Sequence, residues 1–307
     1  MSSRWRLVGA VAGLLAAGPA LGYVRTTKDG LCLWWGRRSI PYTLNDFGAR
    51  PAPNVCTALP DTSSSVGSAS AAARAAFATW AGATRPGEAL PCTDLSFAES
   101  STSSIATGVN GTNLVVWRHG PCAAPIVADG DRCLADGTCA DVYNCWDHGP
   151  SYVALTTVKY STRTGEIVNA DVELNGWDGG SSSAGSYFTC LDPGAGIAQP
   201  CLTDGGAKCI EIDVQTVAVH EAGHLLGLDH NPEAGTVMYF AVRRGEVRRS
   251  LTADDAAGAC AIYPAGGATV TCLPEKRGCS TAGGDGVLGL AAAAWLARRS
   301  GRRPRPG

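Results

Sequence analysis

The chain has 307 residues, 45% of them hydrophobic, which is enough for one large or two small domains, and its formal net charge is −2. Setting aside Arg4 and Arg6 of a leader, and five Arg and Asp285 of residues 280–307, takes that charge to −8. Such acidity argues against nucleic acid as a partner. Thirteen cysteines without a single C-x-x-C pair point to an oxidising compartment instead of a metal cluster in a reducing one.

Residues 1–22 read as a signal peptide: Arg4 and Arg6, an apolar run from Leu7 to Ala17, then Ala20-Leu21-Gly22 as a cleavage site. The protein is therefore expected to be exported, to the cell surface or outer membrane or into the medium. The twelve cysteines before Cys279 form an even set, compatible with disulfides whose pairing spacing alone leaves open. Cys32 belongs to that set, with contact to a metal as the alternative.

A strand is expected from about Pro41 to Leu44, then a Pro-, Ser- and Gly-rich loop over 46–67. Ser68 to Trp80 is Ala-rich, and Ala73, Phe77 and Trp80 recur at helical spacing. Leu114-Val115-Val116-Trp117 reads as a short buried strand. Residues 120–145 carry four Cys among Gly and Asp and read as a disulfide-tied insertion. Its pairs Asp129/Asp131 and Asp136/Asp141 leave Ca²⁺ open, since calcium takes several oxygen ligands, although solvated turns are the plainer reading.

Tyr152 to Tyr160 and Glu166 to Asn175 are expected to pair as strands about a turn ending at Gly165. In the second, Val168, Ala170, Val172 and Leu174 alternate with Asn169, Asp171 and Glu173, which predicts one buried and one wet face. Residues 178–209, with three Cys, read as a second tied loop.

The next segment carries the chemistry. A helix is expected from about Asp213, its N-cap, to Leu226, with Val214, Val217, Ala218 and Leu225 on its buried face. His220-Glu221-Ala222-Gly223-His224 places two imidazoles one turn apart on one helix face. That spacing suits a single Zn²⁺ at about 2.0–2.1 Å per bond. Glu221 lies one step round the helix, beside the metal position, where a general base for an attacking water belongs. Gly227 supplies a positive-φ residue that ends the helix and lets the chain turn back to bring in His230 as third ligand. Three neutral ligands leave a fourth position open, the mark of a catalytic zinc site.

The run from His220 to His230, followed by Thr236-Val237-Met238-Tyr239, resembles the active site and Met-turn of metzincin metallopeptidases. The likeness is closest to the matrixin branch. Leu251 to Asp255 with Ile262-Tyr263 resembles that branch's final helix, and Ala76 to Trp80 before Leu95-Ser96-Phe97 its first helix and second strand. The resemblance implies an α+β fold: a twisted mixed sheet packed on the active-site helix and a second long helix, with a small C-terminal subdomain. It spans residues 37–264, within a peptidase domain expected at 23–265. It also implies Met238 as support beneath the metal, Tyr239 as a pocket residue, and Glu166–Asn175 as the sheet-edge strand that a substrate extends. Asn231 stands where matrixins carry Ser or Thr, and neither a cysteine switch nor a His-x-Asp segment for a second zinc is found.

Residues 266–307 are expected to be linker and tail. Cys279, a short apolar helix over Val287–Ala297 and a terminal Arg cluster resemble the C-terminal sorting tails of myxobacterial surface proteins, which would be the only membrane contact. The expected protein is a monomeric zinc endopeptidase acting on proteins or peptides. The alternatives are a zinc hydrolase of a cell-wall amide, and a metal-stabilised surface-binding module without turnover.

Overall fold

A computed structural model describes residues 22–44, 69–100, 107–118, 146, 148–149, 151–175, 188–189, 212–272 and 288–293. Residues 1–21 of the leader, the Cys-rich insertion at 120–145 with its acidic pairs, the insertion at 178–209 apart from 188–189, Cys279 and the Arg cluster lie outside them. The fold is α+β: a mostly parallel sheet over a few helices, consistent with the expected architecture.

Four two-residue strands open the chain: β1 (Val24–Arg25), β2 (Thr27–Lys28), β3 (Leu31–Cys32) and β4 (Trp34–Trp35). β5 (Ser39–Leu44), α1 (Ala69–Ala81), β6 (Ser96–Glu99), β7 (Leu114–Arg118), β8 (Tyr152–Tyr160) and β9 (Glu166–Asn175) follow. β10 (Phe188–Thr189) and β11 (Ile212–Asp213) precede α2 (Val214–Leu225); β12 (Leu228–Asp229), α3 (Ala253–Ile262) and β13 (Leu288–Ala293) complete the order. The main sheet runs β13-β8-β9-β7-β5-β6, with β4 also on β9. β6, β5, β7 and β9 are parallel, and β8 is antiparallel to β9.

α1 forms where the spacing predicts it, and Ala73, Phe77 and Trp80 are buried against the sheet and α2. Phe77 stacks between Tyr42 and Phe97, with ring centroids 4.2 and 4.8 Å away. Such pairs add about 0.5–1.5 kcal/mol to the burial itself. Trp80 is fully buried, and its indole N–H donates to the Val219 carbonyl at 2.8 Å, locking α1 to α2.

Two expectations about the strand pair change. β9 is not an edge strand: it has β8 on one side and β7 on the other, and β8 in turn carries β13 on its outer side. The wet face expected of β9 is also absent. Asn169, Asp171 and Glu173 are buried, while Val168 is half exposed. The loop 107–113 covers that face: Asp171 accepts from the Gly108 and Leu114 amides, and Asn169 from the Gly111 amide. A parallel sheet buried on both faces cannot leave polar residues to water, so each finds a protein partner.

Cys32 pairs with Cys272 and Cys92 with Cys260, so Cys32 is no metal ligand. The bridges have sequence separations of 240 and 168 residues, and the entropy a cross-link removes from the unfolded chain grows with loop length.

The apolar C-terminal run also differs from expectation. Leu288–Ala293 is a strand, antiparallel to β8 on its outer edge, with Leu290 opposite Thr156. An open edge of unpaired backbone groups is a template for just such pairing. Among the described residues no helix is long and apolar enough to cross a membrane.

Candidate active site

α2 starts where Asp213 caps it. The Asp213 carboxylate accepts from the Thr216 amide at 2.9 Å and pairs with the Arg249 guanidinium. Every residue of α2 except Gln215 is buried, so the helix is held by packing on all sides. Its C-terminal carbonyls, which have no partners within a helix, are met by two aromatic side chains. The Trp35 indole donates to the Leu225 carbonyl at 2.8 Å, and the Tyr263 hydroxyl to the Leu226 carbonyl at 2.7 Å. Neither partner was legible from the helix sequence. Gly227 then takes a φ of 89°, as its place after the helix predicts, and its carbonyl accepts from the Thr26 amide.

The turn at Gly227 brings His230 back to His220 and His224. His224 Nε2 lies 3.1 Å from His220 Nε2 and 3.2 Å from His230 Nε2. Two carbonyls orient the rings: His220 Nδ1–H donates to Val237 at 2.7 Å and His224 Nδ1–H to Leu228 at 2.8 Å. With Nδ1 protonated, Nε2 of each ring presents a lone pair to the same point. Lone pairs that close repel unless a cation lies between them. A tetrahedral ion with bonds of about 2.05 Å would set such nitrogens about 3.3–3.4 Å apart, close to what is seen. Burial, reinforced by the neighbouring rings, pushes His220 down to about 3 and His224 well below its ordinary value; burial lowers His230 as well. All three are therefore neutral near pH 7, the form that binds metal. Among the described residues this is the one group of three or more His, Cys, Asp or Glu that could hold a metal ion.

Glu221 is fully buried. Burial pushes its carboxyl up to about 8, opposed by a hydrogen bond from the Thr156 hydroxyl. That bond, Thr156 Oγ1 to Glu221 Oε2, is 2.6 Å long, and Oε1 has no protein partner. A cation at the histidine cluster would draw the carboxyl back down.

Met238 is buried under the histidine helix, and Gly223 is the reason it fits. A Cβ on Gly223 would collide with Met238 Sδ and with the Trp80 ring. Gly223→Ala is therefore expected to cost about 1–3 kcal/mol by overpacking. Urea melts of the two proteins check this, and an unchanged midpoint would show that the Met238 side chain swings aside freely. Tyr239 lines a pocket beside His220 together with Val217, Val242 and Arg248. The Arg248 head is not free to meet a ligand: it donates to the Thr236 and Ala241 carbonyls.

α3 fastens the turn that carries Met238. Thr252 and Asp255 form a reciprocal capping box, and Asp255 also accepts from the Val237 and Met238 amides at 2.9 and 3.2 Å. Asn231, the residue that departs from the matrixin pattern, donates to Asp254 through its side chain and to the Met238 carbonyl through its amide. Asp254 in turn accepts from the Gly22 and Tyr23 amides. Thr156, Trp35 and the acceptor roles of Asp254 and Asp255 are what the sequence reading missed.

The matrixin family model matches residues 165–264, from β9 through α3. The chain is similar over 58 residues, at 41% identity, to metalloendoproteinase 1-MMP of Arabidopsis thaliana, covering 19% of this chain and 16% of that one. Metalloendoproteinase 5-MMP of the same plant is 37% identical over 81 residues, 25% of this chain and 21% of its own. The matched stretches are thus about a fifth of the length of these relatives, and the family-model match over 165–264 contains all three histidines, Glu221 and Met238.

Proposed function

We propose that the protein is an exported, zinc-dependent endopeptidase. The observation that carries this is the convergence of three neutral imidazoles, those of His220 and His224 oriented by backbone carbonyls, next to the buried Glu221, one residue after His220 on the same helix. The matrixin match over residues 165–264 supports the same reading. His220, His224 and His230 would hold the metal through Nε2, and Met238 packs beneath them. When bound, zinc supplies Lewis-acid polarisation of a carbonyl and acidifies water.

The remaining work falls to the chain itself. Glu221 accepts the proton of the attacking water at Oε1, the oxygen without a protein partner, and passes it to the departing amine. β8 offers main-chain groups to an extended peptide, which accounts for recognition without a fixed sequence. The pocket of Val217, Tyr239 and Val242 takes an apolar substrate side chain, because Arg248 is already engaged. A cell-wall amide would meet the same chemistry, but an edge strand suits a peptide backbone better. A binding module without turnover has no use for a buried glutamate beside the metal ligands.

The test is digestion of a peptide library by the purified protein with and without a zinc chelator. Chelator-sensitive cleavage is expected, with about one zinc per chain. Cleavage that survives full removal of metal would overturn the reading.

The signal peptide and the surface-sorting tail belong to this proposal too. Leu288–Ala293 lies along the same β8 edge that a peptide would use. A chain ending at Cys279 is thus expected to cleave peptides with a KM below that of the full chain and a similar kcat. Equal KM values would mean that substrate does not use this edge.

A further inference from the structure

We propose that Thr156 is the positioning residue of the catalytic glutamate, holding one carboxylate oxygen so that the other is presented to the nucleophile. The inference rests on the peptidase reading above and adds a residue that neither the metal-binding motif nor the Met-turn contains.

Thr156 lies in the middle of β8 and is completely buried. Its backbone is set on both sides, opposite Val172 of β9 and Leu290 of β13. Its hydroxyl faces α2, 2.6 Å from Glu221 Oε2 and 3.2 Å from the Glu221 carbonyl oxygen. A threonine hydroxyl has one proton to donate. The shorter contact is to the carboxylate, where the bond is charge-assisted and roughly twice as strong as one to a neutral acceptor. The proton therefore goes to Oε2. Among the described residues nothing else bonds to the Glu221 side chain, and Oε1 is buried without a partner.

A glutamate has three side-chain torsions, and fixing them costs conformational entropy. On α2 alone the carboxylate has no reason to choose one orientation. The Thr156 hydroxyl selects it. Threonine suits the task because its branched Cβ restricts χ1 and is at home in a strand. Serine would keep the donor with a freer torsion, whereas valine keeps the shape and loses the donor. Thr156 also sits on the strand that would receive the peptide. The element that docks substrate is therefore the element that orients the base.

The experiment compares Thr156→Val, Thr156→Ser and Glu221→Gln with the wild-type full chain, measuring kcat, KM and zinc content. Thr156→Val should lower kcat by about 10–100-fold, the range for loss of an orienting partner. KM should move less than about 2-fold and zinc should stay at about one per chain. Thr156→Ser should recover most of kcat. In the Glu221→Gln background, Thr156→Val should cost little more, because both changes act on one group. An unchanged kcat in Thr156→Val overturns the proposal. So does an equal loss in the valine and serine variants, which would mark a packing role, or a full additive loss in the double variant. If Glu221→Gln keeps wild-type activity, the peptidase reading falls and this inference falls with it. If Glu221→Gln is inactive and Thr156→Val is not, only the inference falls.

Discussion

Glu221→Gln is expected to lower kcat/KM by about 10²–10⁴-fold while leaving zinc bound, the range for loss of a positioned general base. Glutamine keeps the length of the side chain and can still meet Thr156, but it cannot accept the proton of water. His224→Ala is expected to lose both metal and turnover, since His224 Nε2 is the nitrogen within 3.2 Å of Nε2 of both His220 and His230. The two variants separate chemistry from metal binding, because Glu221 contributes no ligand atom to the histidine cluster. Metal analysis and peptide kinetics on the same preparations are the check. Full activity in Glu221→Gln would sink the mechanism.

The largest expected effect on stability lies on the far face of the sheet. Arg118 and Glu173 are buried on adjacent strands, with Arg118 Nε 2.6 Å from Glu173 Oε2. Burial by itself would raise the Glu173 carboxyl, but the Arg118 guanidinium, with His148 nearby, outweighs it and holds the group at about 2. Arg118→Met keeps much of the volume and removes the charge. A buried carboxylate left without its partner costs about 3–5 kcal/mol, and His148, 3.7 Å from Oε1, offsets only part of that.

The pH dependence has a definite sign. In the wild type the folded value of Glu173 lies below the unfolded one. Its contribution is present above about pH 4.5 and is lost as pH falls toward 2. In Arg118→Met, burial raises the folded value above the unfolded one, so the same group gains stability on acidification. Urea melts of both proteins between pH 7 and pH 4 should therefore converge. A constant gap across that range would contradict the assignment.

Much of the site was legible in the sequence because its logic is local. His224 follows His220 at a separation of four, about one helical turn, Gly227 is the residue type that a helix-ending positive φ favours, and Asp213 is a good cap before an apolar helix. The same holds for α1 and for the strand pair β8–β9, where periodicity reports burial directly. What needed the tertiary structure is whatever depends on a partner distant in the chain. Thr156 looks like any strand threonine until β8 is laid beside α2, 65 residues away. Asn169, Asp171 and Glu173 look like a wet face because alternation reports polarity and not water. They are buried by a loop some 60 residues upstream and by an arginine 55 residues away. The identity of the edge strand and the partners of Cys32 and Cys92 are likewise decided by topology. A sequence states which groups need partners; only the folded chain, which must satisfy all of them at once, decides which partner each receives.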